Sequence, residues 1–411
     1  MQTIHIADNE DKHMMELIDE MTLKEKRNAL RNAPFPYKRP DTDALDGSEL
    51  DSRLQAYLSA CGRGTDTDTV PTEWNDGDGT AYRTIDLFAG IGGIRSAYAA
   101  FGCRNVFSSE IDKHAVRTYL LNYGEECVGD ITKVEATDIP QFDILLGGFP
   151  CQAFSHAGLR RGFDDTRGTL FFEIARILKE RRPAAFMLEN VPALMTHDHG
   201  ETFATILSAL YEIGYEVPEP QVLNGRDFGV PQNRNRVVIV GFDGERYPNA
   251  ASEFEYPVPT HDRSSIHASD ILETGEQAEK AGWTRGEWDE YIERFRLSER
   301  LWAYLRERKA ANEAKGNGFG YTLFTPDSPY MNTISARYGK DGSEILIDDG
   351  GVRPRKLTPR ECARLQGFGD GFVINASNTQ AYHQFGNSVC VPVMQAVAGK
   401  VTSYLDAHRA D

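Results

Sequence analysis

The alternation of hydrophobic and polar positions changes along this chain. Residues 10–32 carry Met14, Leu17, Ile18 and Met21 at helical spacing, and residues three or four apart share one face of a helix. A second helix is predicted over 45–58. The stretch 62–80, rich in Gly, Asp and Thr with Pro71 inside it, reads as a linker. From 82 to about 242, apolar runs of strand length (84–88, 105–109, 142–146, 185–188 and 236–242) alternate with helical patterns (94–101, 112–122, 169–180 and 202–213). Strands alternating with helices predict an α/β fold: a doubly wound, mostly parallel sheet covered on both faces. Residues 250–354 lose this alternation, and their Pro, Gly, aromatic and basic residues mark a smaller, irregular lobe. Helical patterns return over 356–405. The expected organisation is therefore a helical extension and linker (1–80), a sheet domain (81–248), a second lobe (249–354) and a C-terminal segment completing the sheet domain (355–411). The extension reads equally as a solvated arm or as a DNA- or partner-contacting one.

Composition narrows the class. The chain has 411 residues, 40% hydrophobic and 26% charged, which is ordinary for a globular protein with a large core. No apolar run reaches membrane-spanning length, and the acidic start lacks a signal core, so a soluble, cytoplasmic protein is expected. The six cysteines form no CxxC pair, which argues against a zinc site and for a reducing compartment; no metal is expected. A net charge of −17 sits badly with binding to phosphates. It is unevenly spread, however. Residues 1–80 hold nine Lys/Arg against 17 Asp/Glu, whereas 294–315 carry a net +4. An acidic protein with one basic cleft can still hold DNA.

The candidate chemistry lies at the ends of the apolar runs. The first ends in Asp86-Leu87-Phe88-Ala89-Gly90-Ile91-Gly92-Gly93, where glycines let the backbone turn and approach a ligand. The G-x-G-G spacing is not the dinucleotide fingerprint. The second run ends at Glu110, a carboxylate suited to ribose hydroxyls. Asp130, in Gly129-Asp130-Ile131, stands where an adenine amino group would need an acceptor, although a single acid at a strand end is more usually a helix cap. These features suit S-adenosylmethionine, which has a ribose and an adenine but no phosphate. Next comes Gly147-Gly148-Phe149-Pro150-Cys151. Cys103, Cys127, Cys362 and Cys390 read as small buried core residues, but Cys151 falls in a loop at the ligand end of the sheet, as a thiolate nucleophile requires. Glu189 directly follows the fourth run, and strand alternation puts Arg234 and Arg236 on one face.

The ordered set DLFAGIGG (86–93), SSEID (108–112), GDI (129–131), GGFPCQAFS (147–155), GTLFFEIARIL (168–178), MLENV (187–191), QNRNR (232–236), RKLTPRECARLQGF (355–368) and QFGNSVCVPV (384–393) resembles the motifs of the DNA (cytosine-5)-methyltransferases, over about 82–405. Residues 317–321, 334–338 and 340–348 resemble the recognition lobe of Dcm-type enzymes, which modify the inner cytosine of CCWGG.

The resemblance implies a Rossmann-like methyltransferase fold with S-adenosyl-L-methionine as methyl donor. Cys151 would add to cytosine C6, and Glu189 would protonate or hydrogen-bond N3, which requires shielding from water. Arg236, with Arg234, would hold the cytosine O2 and a nearby phosphate. The cofactor contacts it implies are Phe88, Gly90, Gly92, Glu110, Ile111, Asp130, Ile131, Leu170 and Ser388. Asn387 is placed at the same end, where it resembles a residue that buttresses the Pro-Cys loop. Ser155 and Arg167, on the loop after Cys151, are candidate DNA contacts. Arg337 and Gly318, in the second lobe, are candidates to approach base edges. The implied partners are double-stranded DNA and, functionally, a cognate restriction endonuclease; a solitary methylase reads identically. One sheet domain and one lobe can enclose a flipped base, so a monomer is expected. Three other readings remain. A tRNA cytosine-5 methyltransferase would carry a Cys-Phe-Thr element that 250–354 lacks. An inactive DNA-binding protein would not need Cys151, Glu189 and Arg236 together. A dinucleotide oxidoreductase is disfavoured by the glycine spacing.

Overall fold

The computed structural model describes residues 16–60, 82–150, 170–318 and 320–409. The apolar runs pair into one seven-stranded sheet. Its strands are β1 (Arg83–Leu87), β2 (Arg104–Ser109), β3 (Ile144–Gly147), β4 (Ala185–Asn190), β5 (Tyr215–Glu216), β6 (Gln221–Asn224) and β8 (Asn235–Asp243), in the order β2-β1-β3-β4-β8-β5 with β6 also on β8. A two-residue strand, β7 (Gln232–Asn233), precedes β8. β2, β1, β3 and β4 run parallel, and β8 is antiparallel to β4, β5 and β6. Helices Gly93–Ala99, Lys113–Tyr123 and Leu170–Arg181 fall between the parallel strands, as parallel crossovers require.

Period-two alternation divides the strand side chains between two cores. Ile144, Leu146, Met187 and Val240 face the cluster that holds the C-terminal helix Val391–Ala407. Leu145, Phe186, Leu188 and Ile239 face the helices Leu170–Arg181 and Glu201–Glu212. Strands β5 and β6 were not anticipated, because they are short and only partly buried.

The N-terminal pattern is not one helix. Residues 16–20 form a first turn and Leu23–Arg31 a second helix. Thr22 caps the second: its hydroxyl accepts from Glu25 N while the Glu25 carboxylate accepts from Thr22 N. That capping box is a start signal that the apolar spacing alone concealed. The other expected helix is present as Gly47–Ala60. Nor is the extension a solvated arm. Ile18, Leu30, Leu50 and Leu54 are fully buried in a cluster that includes Leu121 of the sheet domain and Val373 of the C-terminal segment. The predicted linker lies outside the described residues.

The second lobe has two short helices, Gly275–Lys280 and Arg285–Glu293, and a longer one, Glu299–Ala314, with three two-residue strands. These are β9 (Leu323–Phe324), β10 (Met331–Asn332), paired with β7, and β11 (Leu346–Ile347), paired with β9. Its Ile271, Met331, Ile334 and Tyr338 belong to the same apolar cluster as the sheet, so the lobe is fused to the sheet domain's core. Among the described residues, no helix is long and apolar enough to cross a membrane.

Candidate active site

The ends of three parallel strands come into line. Leu87 pairs with Gly147, and Gly147 with Leu188, so Phe88, Gly148 and Glu189 follow side by side, Glu189 still paired with Val238 of β8. Phe88, Gly90 and Gly92 all take left-handed backbone conformations, with φ of 57°, 56° and 81°. This is uncommon for a bulky residue such as Phe88 and marks a constrained loop. A Cβ on Gly92 would stand 2.2 Å from the Tyr123 ring. The Tyr123 hydroxyl donates to Gly92 O at 3.0 Å and bonds Ser96 Oγ at 2.6 Å, so the ring braces the loop from below.

Glu110 reaches the same loop. Its Oε2 accepts from Gly90 N at 2.8 Å and its Oε1 from Asp112 N at 2.7 Å. Next to it, Ile111 is 76% exposed, an apolar side chain held in the open beside a carboxylate. Asp130 caps the turn Ile131–Lys133: its Oδ1 accepts from Thr132 N and Oγ1. These bonds hold its carboxyl below the usual range. Ile131 turns its side chain into the core, so only its backbone can meet a ligand. Leu170 is half-buried at the start of its helix. Ser388 Oγ lies 3.1 Å from a Cβ placed on Gly93, which brings the C-terminal segment against the end of the glycine loop. Asn387 is exposed, with its amide 3.4 Å from His383 Nε2. The loop it was expected to buttress, beginning at Cys151, lies outside the described residues, as do Ser155 and Arg167.

The approach to Cys151 is fixed by a residue to which sequence reasoning gave no role. Asn190 Nδ2 donates to Phe149 O at 2.8 Å, and Asn190 Oδ1 accepts from Val191 N. Phe149 is buried and Pro150 exposed. Beside this anchor, Glu189 is 9% exposed. Its Oε1 pairs with Arg236 Nε at 2.7 Å, and its Oε2 is 3.5 Å from where a Gly148 Cβ would stand. The small residue at 148 therefore leaves room alongside the carboxylate.

Arg234 corrects the expectation. It is 2% exposed, and its guanidinium donates to Ile334 O at 3.0 Å, Gly386 O at 3.2 Å and Ser388 O. Enclosed by carbonyls, it cannot reach a base or a phosphate; it is a strut joining strand, lobe and C-terminal segment. Burial, with Arg236 adding to it, lowers its pKa to about 9. Gln232 and Gln366 extend the same knot through Ile334 N, Leu365 O and each other.

Asp86 was also missed. It is 1% exposed, and among the described residues neither carboxylate oxygen has a hydrogen-bond partner. Burial pushes its carboxyl up to about 8, against the pull of nearby Arg95 and with help from Glu110 and Glu125. Of the four described cysteines, Cys103, Cys362 and Cys390 are buried as expected, but Cys127 is only half-buried. Burial raises all four thiols, Cys103 to about 12 and Cys390 to about 11, which suppresses the thiolate that nucleophilic attack needs.

On the lobe, Arg337 is exposed, and Gly318 is exposed with open space around it. The helix Glu299–Ala314 buries only Leu305, leaving its basic residues on the surface. Two charges of the basic stretch are already neutralised: Arg294 pairs with Glu290, and Arg296 with Asp349 and Glu293.

The family model for C-5 cytosine-specific DNA methylase matches residues 82–403. The Type II methyltransferase M.SsoII of Shigella sonnei is 47% identical over 399 residues, covering 94% of this chain and 98% of its own. The Type II methyltransferase M.NlaX of Neisseria lactamica is 52% identical over 329 residues, 79% of this chain and 98% of its own. Among solved structures, the S. pombe Dnmt2 methyltransferase superposes with a TM-score of 0.58 over 80% of this chain and 100% of its own, at 18% identity, and so shares the fold. With the strand-end geometry, these likenesses settle the family: the chain belongs to the C-5 cytosine-specific DNA methylases and is a DNA-cytosine methyltransferase.

Proposed function

We propose that this chain methylates carbon 5 of a cytosine flipped out of duplex DNA, through a covalent bond between Cys151 Sγ and C6. The observation that carries the reading is the buried Glu189–Arg236 pair, set against Gly148 on the segment leading to Cys151. C5 of cytosine is a poor nucleophile. Addition of the Cys151 thiolate to C6, with a proton or hydrogen bond from Glu189 at N3, makes C5 an enamine carbon able to take a methyl group. Arg236 holds the Glu189 carboxylate and faces O2 of the base. Loss of the C5 proton then expels Cys151 by β-elimination, so the covalent step divides one hard reaction into easier ones. S-adenosylmethionine supplies the methyl group.

The residues at the strand ends fit that cofactor. Glu110, already fixed by two backbone amides, would take the ribose hydroxyls, and Ile111 would offer an apolar shelf for a purine. Asp130 can accept from the adenine amino group beside the Ile131 backbone. Phe88, Gly90, Gly92, Leu170 and Ser388 line the same end. In this reading residues 249–354 contact DNA, with Arg337 and Gly318 near base edges. CCWGG is the site proposed, on the lobe's likeness to Dcm-type enzymes, and a restriction endonuclease is the functional companion in a type II setting.

Bisulfite sequencing of a plasmid carried with the gene, in a host lacking cytosine methylation, tests the reading. Protection is expected at the inner cytosine of CCWGG, and none with Cys151→Ser. Protection confined to another motif refutes the site. Undiminished protection with Cys151→Ser refutes the nucleophile.

A further inference from the structure

The described N-terminal residues 16–60 touch three separate parts of the molecule. Against the sheet domain, Arg117 donates to Glu20 O at 2.8 Å and pairs with Glu25 at 2.9 Å. Its helix, Lys113–Tyr123, is capped by Asp112, the residue that follows Glu110 and Ile111. Against the C-terminal segment, the fully buried Arg360 donates to Asn32 O and to the Tyr57 hydroxyl, and Tyr57 donates to Asp370 O at 3.0 Å. Against the second lobe, Phe35 packs edge-on to Trp283, and Trp283 Nε1 donates to Lys38 O.

The third contact is electrostatic at its centre. Lys38 and Glu273 are both fully buried, with Nζ 3.2 Å from Oε1, a close ion pair not aligned as a hydrogen bond. Lys38 Nζ donates instead to Arg31 O at 2.7 Å and meets the Tyr291 hydroxyl at 3.1 Å. Glu273 Oε2 takes the Thr358 hydroxyl and the Tyr291 hydroxyl, and Glu273 N donates to Glu361. Glu361 is in turn held by Arg355. The lobe and the C-terminal segment thus meet around a carboxylate whose ion-pair partner comes from the N-terminal extension. A charge buried in this way requires a partner, so the joint between lobe and sheet domain is complete only with the extension seated.

We propose that residues 16–60 are a clamp that fixes the second lobe against the methyl-transferring domain, with Lys38 as a positioning residue for DNA binding. This rests on the reading of 249–354 as the DNA-contacting lobe. A lobe held at one angle presents Arg337 and the base-flipping cleft to the same duplex at once. A loosened lobe must be ordered by the DNA itself, which weakens binding.

The test uses the full chain, with Lys38→Met and with Lys38→Met/Glu273→Gln, the latter leaving no unpaired buried charge if the single variant fails to fold. Methyl transfer to duplex DNA is measured below the melting temperature of every variant, with cofactor affinity determined separately. The expected result is a KM for DNA raised about tenfold, the scale typical of coupling networks, while kcat and cofactor affinity change less than about twofold. An unchanged KM in the folded double variant overturns the clamp, as does a fall in kcat or cofactor affinity without a change in KM. Arg337→Ala, run in parallel, separates the two claims. If it leaves KM unchanged, the lobe reading fails; if it raises KM and the charge-pair variants do not, the clamp alone fails.

Discussion

Removing the guanidinium that faces Glu189 is the most direct test of the site's geometry. The pair is 2.7 Å apart, with side chains 11% and 13% exposed. An exposed pair contributes about 0–1 kcal/mol, while breaking a fully buried one costs about 3–5 kcal/mol because a charge is left without a partner. One-tenth exposure places this pair towards the buried limit, so Arg236→Ala should cost about 2–3 kcal/mol. Part of that is the separate bond from Arg236 Nη1 to Asn235 O, which a double-mutant cycle with Glu189→Ala removes. The coupling energy should then be about 2 kcal/mol, read from urea midpoints with a common m value. A coupling below about 0.5 kcal/mol would mean that the two side chains do not act as a pair, and the account of the site would be wrong. Glu189→Gln provides the catalytic half of the test. Its amide oxygen can still accept from Arg236, so stability should change by less than about 1 kcal/mol, the net worth of one hydrogen bond. Methyl transfer should nevertheless fall by about 10²–10⁴, the usual contribution of general acid catalysis. Near-normal turnover in Glu189→Gln would remove the residue from the chemistry.

Two further outcomes follow from the cofactor end. Gly92→Ala adds a Cβ in a left-handed conformation 2.2 Å from the Tyr123 ring, so binding of labelled S-adenosylmethionine should weaken more than about tenfold, the equivalent of about 1–2 kcal/mol of backbone strain alone. Unaltered binding would exclude the loop from the pocket. Asp86, with its carboxyl at about 8 when folded, keeps a proton that the unfolded chain releases near pH 4. Its contribution to stability is fully present below that pH and is lost as pH rises towards 8, by up to about 1.4 kcal/mol per unit. Asp86→Asn should therefore gain on the parent between pH 5 and 7.5 in the cofactor-free protein; melting temperatures that run parallel across that range would contradict it.

The sheet was legible because its central strands β3 and β4 are short apolar runs buried on both faces, which leaves few alternatives. β1, β2 and β4 fall within two residues of their expected bounds, and Glu189 could be singled out because it directly follows such a run. The extension was harder. Its apolar spacing predicted one helix, but spacing carries no information about Thr22 and Glu25 exchanging hydrogen bonds. Nor does it say what covers the apolar face, which here is Leu121 and Val373 from distant parts of the chain. Asn190 and Asp86 were quoted within motifs, but their settings depend on a neighbouring carbonyl in one case and, in the other, on burial without a hydrogen-bond partner among the described residues.

Arg234 and Arg236 show where sequence periodicity stops. Strand alternation groups them on one face, and both do turn away from the exposed Asn233 and Asn235. It cannot say what lies over that face. Position 234 is capped by Ile334, 100 residues away, and by Gly386, 152 residues away, while position 236, two residues on, meets Glu189 across the sheet. Two identical side chains therefore have different partners, because the long-range chain crossings enclose one in carbonyls and leave the other facing Glu189. The same stretch of backbone is tied to Ile334 and Gly386 through Arg234 and to the Glu189 carboxylate through Arg236.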